Sequence, residues 1–161
     1  MTKKITSVAM FACVALLCSY IEMMIPNPFA MQGIKLGLAN SVVLFSIYYF
    51  SFREAYMISV VRVVLVSLLF GSFFGLAFSL AGCTISMIAM YLAYRSKLFS
   101  IVGNSIIGAV FHNIGQLLVA MILLESISVI YYFVGLLISG VISGCLIGLL
   151  CQKVVKQIKR Q

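Results

Sequence analysis

The sequence predicts an all-α membrane protein with six transmembrane helices. Hydrophobic residues fill 64% of the 161 positions, charged residues only 9%, and aspartate is absent. A soluble domain carries about a quarter charged residues. The charges form short clusters separated by apolar runs, and a helix needs ~20 apolar residues to cross a bilayer. Six such runs fill the chain, which predicts a single integral membrane domain over residues 1–161.

Proline, glycine and charged residues delimit the predicted spans. Pro26 and Pro28 end the first helix, because proline lacks an amide donor and disfavours helical geometry in the residue before it. Arg53 and Glu54 mark the next turn, and residues 71–75, bracketed by glycines, are predicted to form a loop. Charged turn residues separate the remaining runs. The predicted spans are 5–25, 36–50, 55–70, 76–94, 100–124 and 129–151.

The basic residues predict a plasma-membrane protein with both termini in the cytoplasm, because Lys and Arg are enriched in cytoplasmic loops. With the N-terminus inside, Lys35 is the one basic residue of the outer loops. The cytoplasmic segments then hold Lys3, Lys4, Arg53, Arg95, Lys97, Lys153, Lys156, Lys159 and Arg160. No nucleic-acid partner is expected despite the net charge of +8, because these residues form no basic patch. The basic tail either contacts anionic membrane lipid or acts as a stop-transfer anchor.

Polar side chains at membrane depth mark a candidate binding site, since each is costly there without a partner. Arg62 lies ~13 Å along its helix from Arg53, close to mid-bilayer. Asn104, Gly108, His112 and Gln116 recur every four residues and so share one helix face. The predicted substrate-binding residues are Lys35, Asn40, Arg62, His112, Asn113 and Gln116, around a cavity in the outer half of the membrane.

This predicted cavity would be positively charged and have apolar walls. The planar guanidinium of arginine suits carboxylate or phosphate groups, so we expect a small anionic or polar-headed ligand. An alternative is that Arg62 pairs with Glu22 or with a helix-end carbonyl as a structural contact. His112, taken alone, is expected to form an interhelical hydrogen bond.

The sequence predicts no catalytic residues, metal site or cofactor. The three glutamates stand at helix ends on different sides, so they provide no acid–base pair. One histidine and five cysteines without a CxxC pair argue against structural zinc, and the cysteines are interpreted as core or lipid-facing residues. Binding or transport is therefore favoured over catalysis.

Small residues recur at helical spacing in several spans. Gly140, Gly144 and Gly148 follow one another every four residues, and Gly82 and Ser86 repeat the pattern in the fourth span. Such stripes allow helices to approach closely. They serve either packing within the molecule or docking of a partner membrane protein.

Two segments resemble signatures of the Gx transporter family, which is also labelled heptaprenyl diphosphate synthase component I. They are KLGLAN at 35–40 and HNIGQ at 112–116, and the resemblance covers nearly the whole chain. The family's Pro-x-Pro-Gly before KLGLAN is loosened here to Pro28 and a displaced Gly33.

This family is similar to the substrate-binding S components of energy-coupling factor (ECF) transporters. Those are six-helix bundles with both termini inside that bind micronutrients near the outer face. They associate with a transmembrane coupling protein and two ATPases through small residues on their first helices. The resemblance thus implies an S-component-like bundle that takes up a small anionic or amphipathic micronutrient, powered by partner ATPases. Ala9, Ala12 and Cys13 are the implied docking positions.

Two other roles are compatible with the resemblance. One is a non-catalytic membrane subunit of heptaprenyl diphosphate or quinone synthesis. The other is a subunit of a flavin-based extracellular electron-transfer assembly. Prenyl diphosphate synthases bind Mg²⁺–diphosphate through clustered aspartates, and hard cations require such oxygen ligands. Without any aspartate, this chain is expected to serve prenyl synthesis only as a partner.

Overall fold

The computed structural model describes residues 2–25 and 37–158, with Thr2, Lys3 and residues 127–129 described by their backbone alone. All regular structure in these residues is helical, which confirms the all-α prediction. The elements in chain order are α1 (Thr2–Met24), α2 (Leu38–Tyr49), α3 (Phe52–Phe70), α4 (Phe73–Ser96), α5 (Ile101–Leu124), a 3₁₀ segment (Ile127–Tyr132) and α6 (Phe133–Ile158).

Four stretches of the described chain are long and apolar enough to cross a membrane. They are Lys4–Met24 in α1, all of α4, all of α5, and Ile130–Ile158, which contains α6. The 12 residues of α2 extend about 18 Å, less than the ~30 Å of a hydrocarbon core. α3 has 19 residues but contains three charged side chains. The chain therefore has the features of a multi-pass membrane protein, and the crossing by α2 and α3 stays a prediction.

Large apolar side chains cover much of the outer surface, as expected where lipid is the solvent. Leu68 of α3 is 73% exposed, Phe73 of α4 82% and Ile122 of α5 74%. A water-soluble monomer rarely exposes contiguous apolar patches of more than a few hundred Å². These side chains are therefore suited to face lipid.

Several boundaries differ from the sequence predictions, and two of the differences have a clear structural cause. The loop predicted at 71–75 is shorter, because Ser72 caps α4 and its hydroxyl accepts a hydrogen bond from Gly75 N at 3.1 Å. α4 consequently begins at Phe73. α6 continues to Ile158 rather than ending near Cys151, since its last turns still bury Val155 against the core.

α2 is the central helix of the bundle. It packs against α1, α3, α4 and α6, and its residues 42–47 are all buried. A helix that is apolar on every side belongs inside a protein core. The core around α2 contains Leu44, Ile47, Met87 and Cys151.

α5 lies between α4 and α6 and forms the most extensive helix contacts with both. A Cβ atom on Gly144 would lie 2.8 Å from Ile106 Cα, and one on Gly148 would lie 2.7 Å from Val102 Cα. Only glycine allows backbones to approach this closely. The small-residue stripe of α6 thus packs within the molecule, as one of its two interpretations predicted.

Candidate functional site

A cavity of about 380 Å³ lies inside the bundle and is lined by residues from all six helices. This volume is at the lower end of the range for small-molecule pockets, roughly 300–1,000 Å³. Five of the six predicted binding residues line it, namely Asn40, Arg62, His112, Asn113 and Gln116. The sixth, Lys35, lies outside the described residues. The structure thus brings the described members of the set together, and their binding role stays a prediction.

Arg62 is the most informative residue of the lining. Its Nε atom is buried and has no hydrogen-bond partner within residues 2–25 and 37–158. A buried donor left without a partner costs about 1–3 kcal/mol, and more when it belongs to a charged group. An acceptor in the cavity, such as the oxygen of an anionic ligand, would remove that cost.

Glu22 joins the end of α1 to the beginning of α2 at the edge of the cavity. Its Oε1 atom accepts a hydrogen bond from Gly37 N at 2.6 Å. Gly37 has a φ of 80°, which glycine adopts readily, and it directly precedes α2. A negative charge is stabilising at a helix N-terminus because of the helix dipole. No ion pair joins Glu22 to Arg62 among the described residues, so that alternative for Arg62 is absent there.

The described residues of the lining include one arginine and one glutamate, so with a neutral His112 their formal charges sum to zero. The predicted positive charge also counted Lys35, which lies outside the described residues, and it stays a prediction. Glu22 was predicted only as an alternative partner for Arg62, and it is not among the six predicted substrate-binding residues. A glutamate near a helix end is a weak signal, because such positions are usually solvated.

Three members of the predicted polar face of α5, Gly108, His112 and Gln116, line the cavity. The fourth, Asn104, is fully buried away from it and donates from Nδ2 to the hydroxyl of Tyr48 at 3.2 Å. Asn104 therefore connects α5 to α2 instead of facing the cavity.

His112 and Asn113 are held by the neighbouring helices. A Cβ atom on Gly82 would lie 2.9 Å from His112 Cε1, so the glycine of α4 leaves the space that the imidazole occupies. Asn113 donates from Nδ2 to Leu136 O at 2.6 Å, which ties α5 to α6. Asn113 thus has a structural contact in addition to its place in the cavity wall.

Serine residues add polar groups to the cavity lining, and none of them is among the predicted substrate-binding residues. Those in the lining are Ser19, Ser67, Ser79, Ser105, Ser139 and Ser143. Several also bond to their own helix, as Ser139 does by donating to Leu136 O at 3.0 Å. Because serines in membrane helices commonly do this, their presence in a sequence is a weak signal for a site.

The predicted docking positions on α1 face different surroundings. Ala9 and Cys13 are exposed, whereas Ala12 is buried. All five cysteines are free, with Cys83 and Cys151 buried. Within the described ranges, no group of three or more potential metal-binding side chains occurs.

The helical fold and its apolar surface define the class of multi-pass membrane proteins, and polar side chains line a cavity inside the bundle. The chain belongs to the family described as heptaprenyl diphosphate synthase component I, which it matches over residues 11–154. This match confirms the family that the KLGLAN and HNIGQ segments indicated. No curated protein and no solved structure matched the chain.

Proposed function

We propose that this protein is the substrate-binding, S-component-like subunit of an uptake system in the plasma membrane. It captures a small solute that carries an anionic group, and partner ATPases power the transport. The observation that carries the proposal is the buried Nε of Arg62, which has no hydrogen-bond partner among the described residues and lies at a cavity that His112 and Gln116 also line. Buried guanidinium groups bind carboxylate and phosphate strongly, through charge-assisted hydrogen bonds.

The proposal includes six spans, with both termini in the cytoplasm and the cavity accessible from outside. It is supported by the contact between Lys4 and Glu54, whose Nζ and Oε1 atoms lie 2.6 Å apart. This ion pair holds the turn between α2 and α3 beside the beginning of α1. If α1 crosses the membrane, that turn lies on the side of the N-terminus, as six spans require.

Docking to a transmembrane coupling protein is proposed to use the exposed face of α1. Ala9 and Cys13 are four residues apart, so they share this face and leave a small-residue surface that a partner helix can approach. Ala12 would contribute through the packing behind that face, because it is buried.

A second candidate function is a non-catalytic membrane subunit of heptaprenyl diphosphate synthesis, as the family description suggests. An apolar groove of about 310 Å³ supports this candidate. It is lined by Leu38, Leu146, Ile147, Leu149, Leu150 and Lys153. Ile147 also lines the cavity, so the groove and the cavity are neighbours. A polyprenyl chain fits such a groove chemically.

Identification of co-purified molecules tests the two candidates against each other. The protein is purified in mild detergent, and bound small molecules are identified by mass spectrometry. A water-soluble solute with an anionic group, together with co-purification of a coupling protein and ATPases, supports uptake. A polyprenyl lipid with a synthase subunit instead supports the second candidate and contradicts the first.

Substitutions of cavity residues provide the mutational test. We expect Arg62→Ala to weaken binding of the identified solute roughly tenfold or more, because a hydrogen bond to a charged group contributes about 1.5–3 kcal/mol. His112→Ala should weaken it by a smaller factor. Binding is measured by isothermal titration calorimetry, with Arg95→Ala, an exposed arginine of α4, as the matched control. Failure of both cavity variants to fold would favour a structural role for these residues.

A further inference from the structure

Arg62 and Glu22 carry opposite charges and line the same cavity without forming an ion pair among the described residues. Arg62 lies deep in the bundle, where a charge without a partner is costly, whereas Glu22 is half-buried near the end of α1. Both charged groups line the cavity, so both can contact whatever occupies it.

Both side chains have unused hydrogen-bonding capacity. The guanidinium has five N–H donors, and its buried Nε has no partner in the described part of the chain. The Glu22 carboxylate has about four acceptor positions, of which the bond from Gly37 N uses one within the described part of the chain. With His112 neutral, the other described residues of the lining carry no formal charge, and they include amides such as Asn40 and Gln116 and apolar side chains such as Val66.

We infer that the solute is zwitterionic, with an anionic group bound by Arg62 and a separate cationic group bound by Glu22. A purely anionic solute would pair with Arg62 but would bring a second negative charge into the enclosure that holds Glu22. Like charges in one cavity repel each other. A zwitterion pairs with both side chains, and no net charge needs to enter the membrane interior. This inference rests on the proposed function and narrows its ligand class.

A set of charge-matched probes tests the inference. The zwitterionic probes are γ-aminobutyrate and ε-aminocaproate. The anionic counterparts are butyrate and caproate, and the cationic counterparts are butylamine and hexylamine. The melting temperature of the full-length protein in detergent is measured with each probe at equal concentration. We expect at least one zwitterion to raise the melting temperature more than its two counterparts do.

Two variants should each remove one part of the preference for zwitterions, the first part over carboxylates and the second over amines. Glu22→Gln keeps an oxygen that accepts the Gly37 N–H, but it removes the charge, so the carboxylates should equal or exceed the zwitterions. Arg62→Gln should lose the preference for zwitterions over the amines. Apparent affinity for the zwitterion should fall roughly tenfold in each variant, which corresponds to about 1.4 kcal/mol. Glu125→Gln makes the same change at the exposed end of α5 and should keep the wild-type order.

Three results would overturn the inference. They are equal stabilisation by carboxylates and zwitterions in the wild type, an unchanged preference in both cavity variants, and no stabilisation by any probe class. A co-purified solute with negative charge alone would also refute the zwitterion, yet it would leave the uptake function intact. A co-purified polyprenyl lipid would instead refute the uptake function itself.

Discussion

Arg62 illustrates what a single residue at membrane depth reveals. Its distance from the turn at Arg53 predicted a position where water cannot solvate a charge. In the structure this side chain lines the cavity, and its Nε has no hydrogen-bond partner among the described residues. His112 and Gln116 were predictable in the same way, because helical periodicity aligns them on one face.

Gly115 is a residue where one added methyl group should matter. A Cβ atom there would lie 2.7 Å from Gly82 Cα and 2.8 Å from Ala81 O, and backbone atoms cannot rotate aside. We expect Gly115→Ala to force α4 and α5 apart and to reduce the free energy of unfolding by about 1–3 kcal/mol, as overpacking does. Unfolding in detergent with increasing SDS measures the change.

Gly135→Ala is the matched control for this substitution. Gly135 lies in α6, and no atom of the described residues, apart from its chain neighbours and the nearby backbone of its own helix, lies within 4 Å of the added Cβ position. Alanine there should leave stability unchanged or raise it slightly, because alanine favours helix more than glycine does. Equal stability of the two variants would contradict the close packing of α4 on α5.

Other residues of the site could not be predicted from the sequence. The bond between Glu22 and Gly37 joins two positions 15 residues apart, and it depends on a left-handed backbone at the glycine. Neither feature follows from local periodicity. Asn104 fits the polar face of α5 by spacing, but Tyr48 offers it a hydrogen-bond partner in the core. Such choices are decided by tertiary contacts.

At the scale of the helices, apolar runs and charged turns located every α-helix of the described chain. They did not indicate how deeply each helix is buried within the bundle. In the sequence, α2 is an ordinary apolar run, yet in the structure it is short and packs against four other helices. The start of α4 was also misplaced, at residue 76 instead of Phe73. The hydroxyl of Ser72 caps the helix, so Phe73 and Phe74 belong to α4. Capping depends on backbone geometry that hydropathy does not report.

The turn between α2 and α3 should make stability depend on pH. Glu54 stands outside the predicted spans, pairs with Lys4 and accepts a hydrogen bond from Ser51 N at 2.9 Å. The bond with Lys4 and, after it, that from Ser51 hold the pKa of Glu54 below its ordinary value of 4.5. Because the folded-state pKa is the lower one, Glu54 stabilises the fold above pH 4.5. This stabilisation is lost as the pH falls through the folded-state pKa.

The measurement compares the melting temperatures of the wild type and Glu54→Gln across acidic and neutral pH. We expect the wild type to melt at the higher temperature near neutral pH and the difference to vanish in acid. Glu125→Gln is measured in parallel to correct for the loss of one carboxylate at an exposed position. A difference that grows as the pH falls would have the wrong sign and would refute this role of Glu54.

At the scale of the whole molecule, basic residues gather at one end of the bundle, where aromatic contacts join several helix ends. Ring contacts join Tyr48 to Tyr94 at 4.9 Å and Phe52 to Tyr91 at 4.5 Å, which brings the ends of α2 and α4 and the start of α3 together. Val155 packs into the same core as Ile47, so the end of α6 lies there too. The basic residues near these helix ends are Lys4, Arg53, Arg95, Lys97, Lys153 and Lys156. Aromatic rings are typical of both membrane interfaces, and basic side chains are typical of the cytoplasmic one.

This arrangement leads to a prediction about orientation that can be checked in whole cells. Epitope tags at the N-terminus, at the C-terminus and between Gly71 and Ser72 are introduced singly into the full-length protein. The terminal tags should bind antibody only after permeabilisation, because the basic end favours the cytoplasm. The tag at Gly71 should bind antibody in intact cells, because the α3–α4 connection lies at the opposite end of α3 from Arg53. Terminal tags on opposite sides of the membrane would require an odd number of spans and would contradict the proposed bundle.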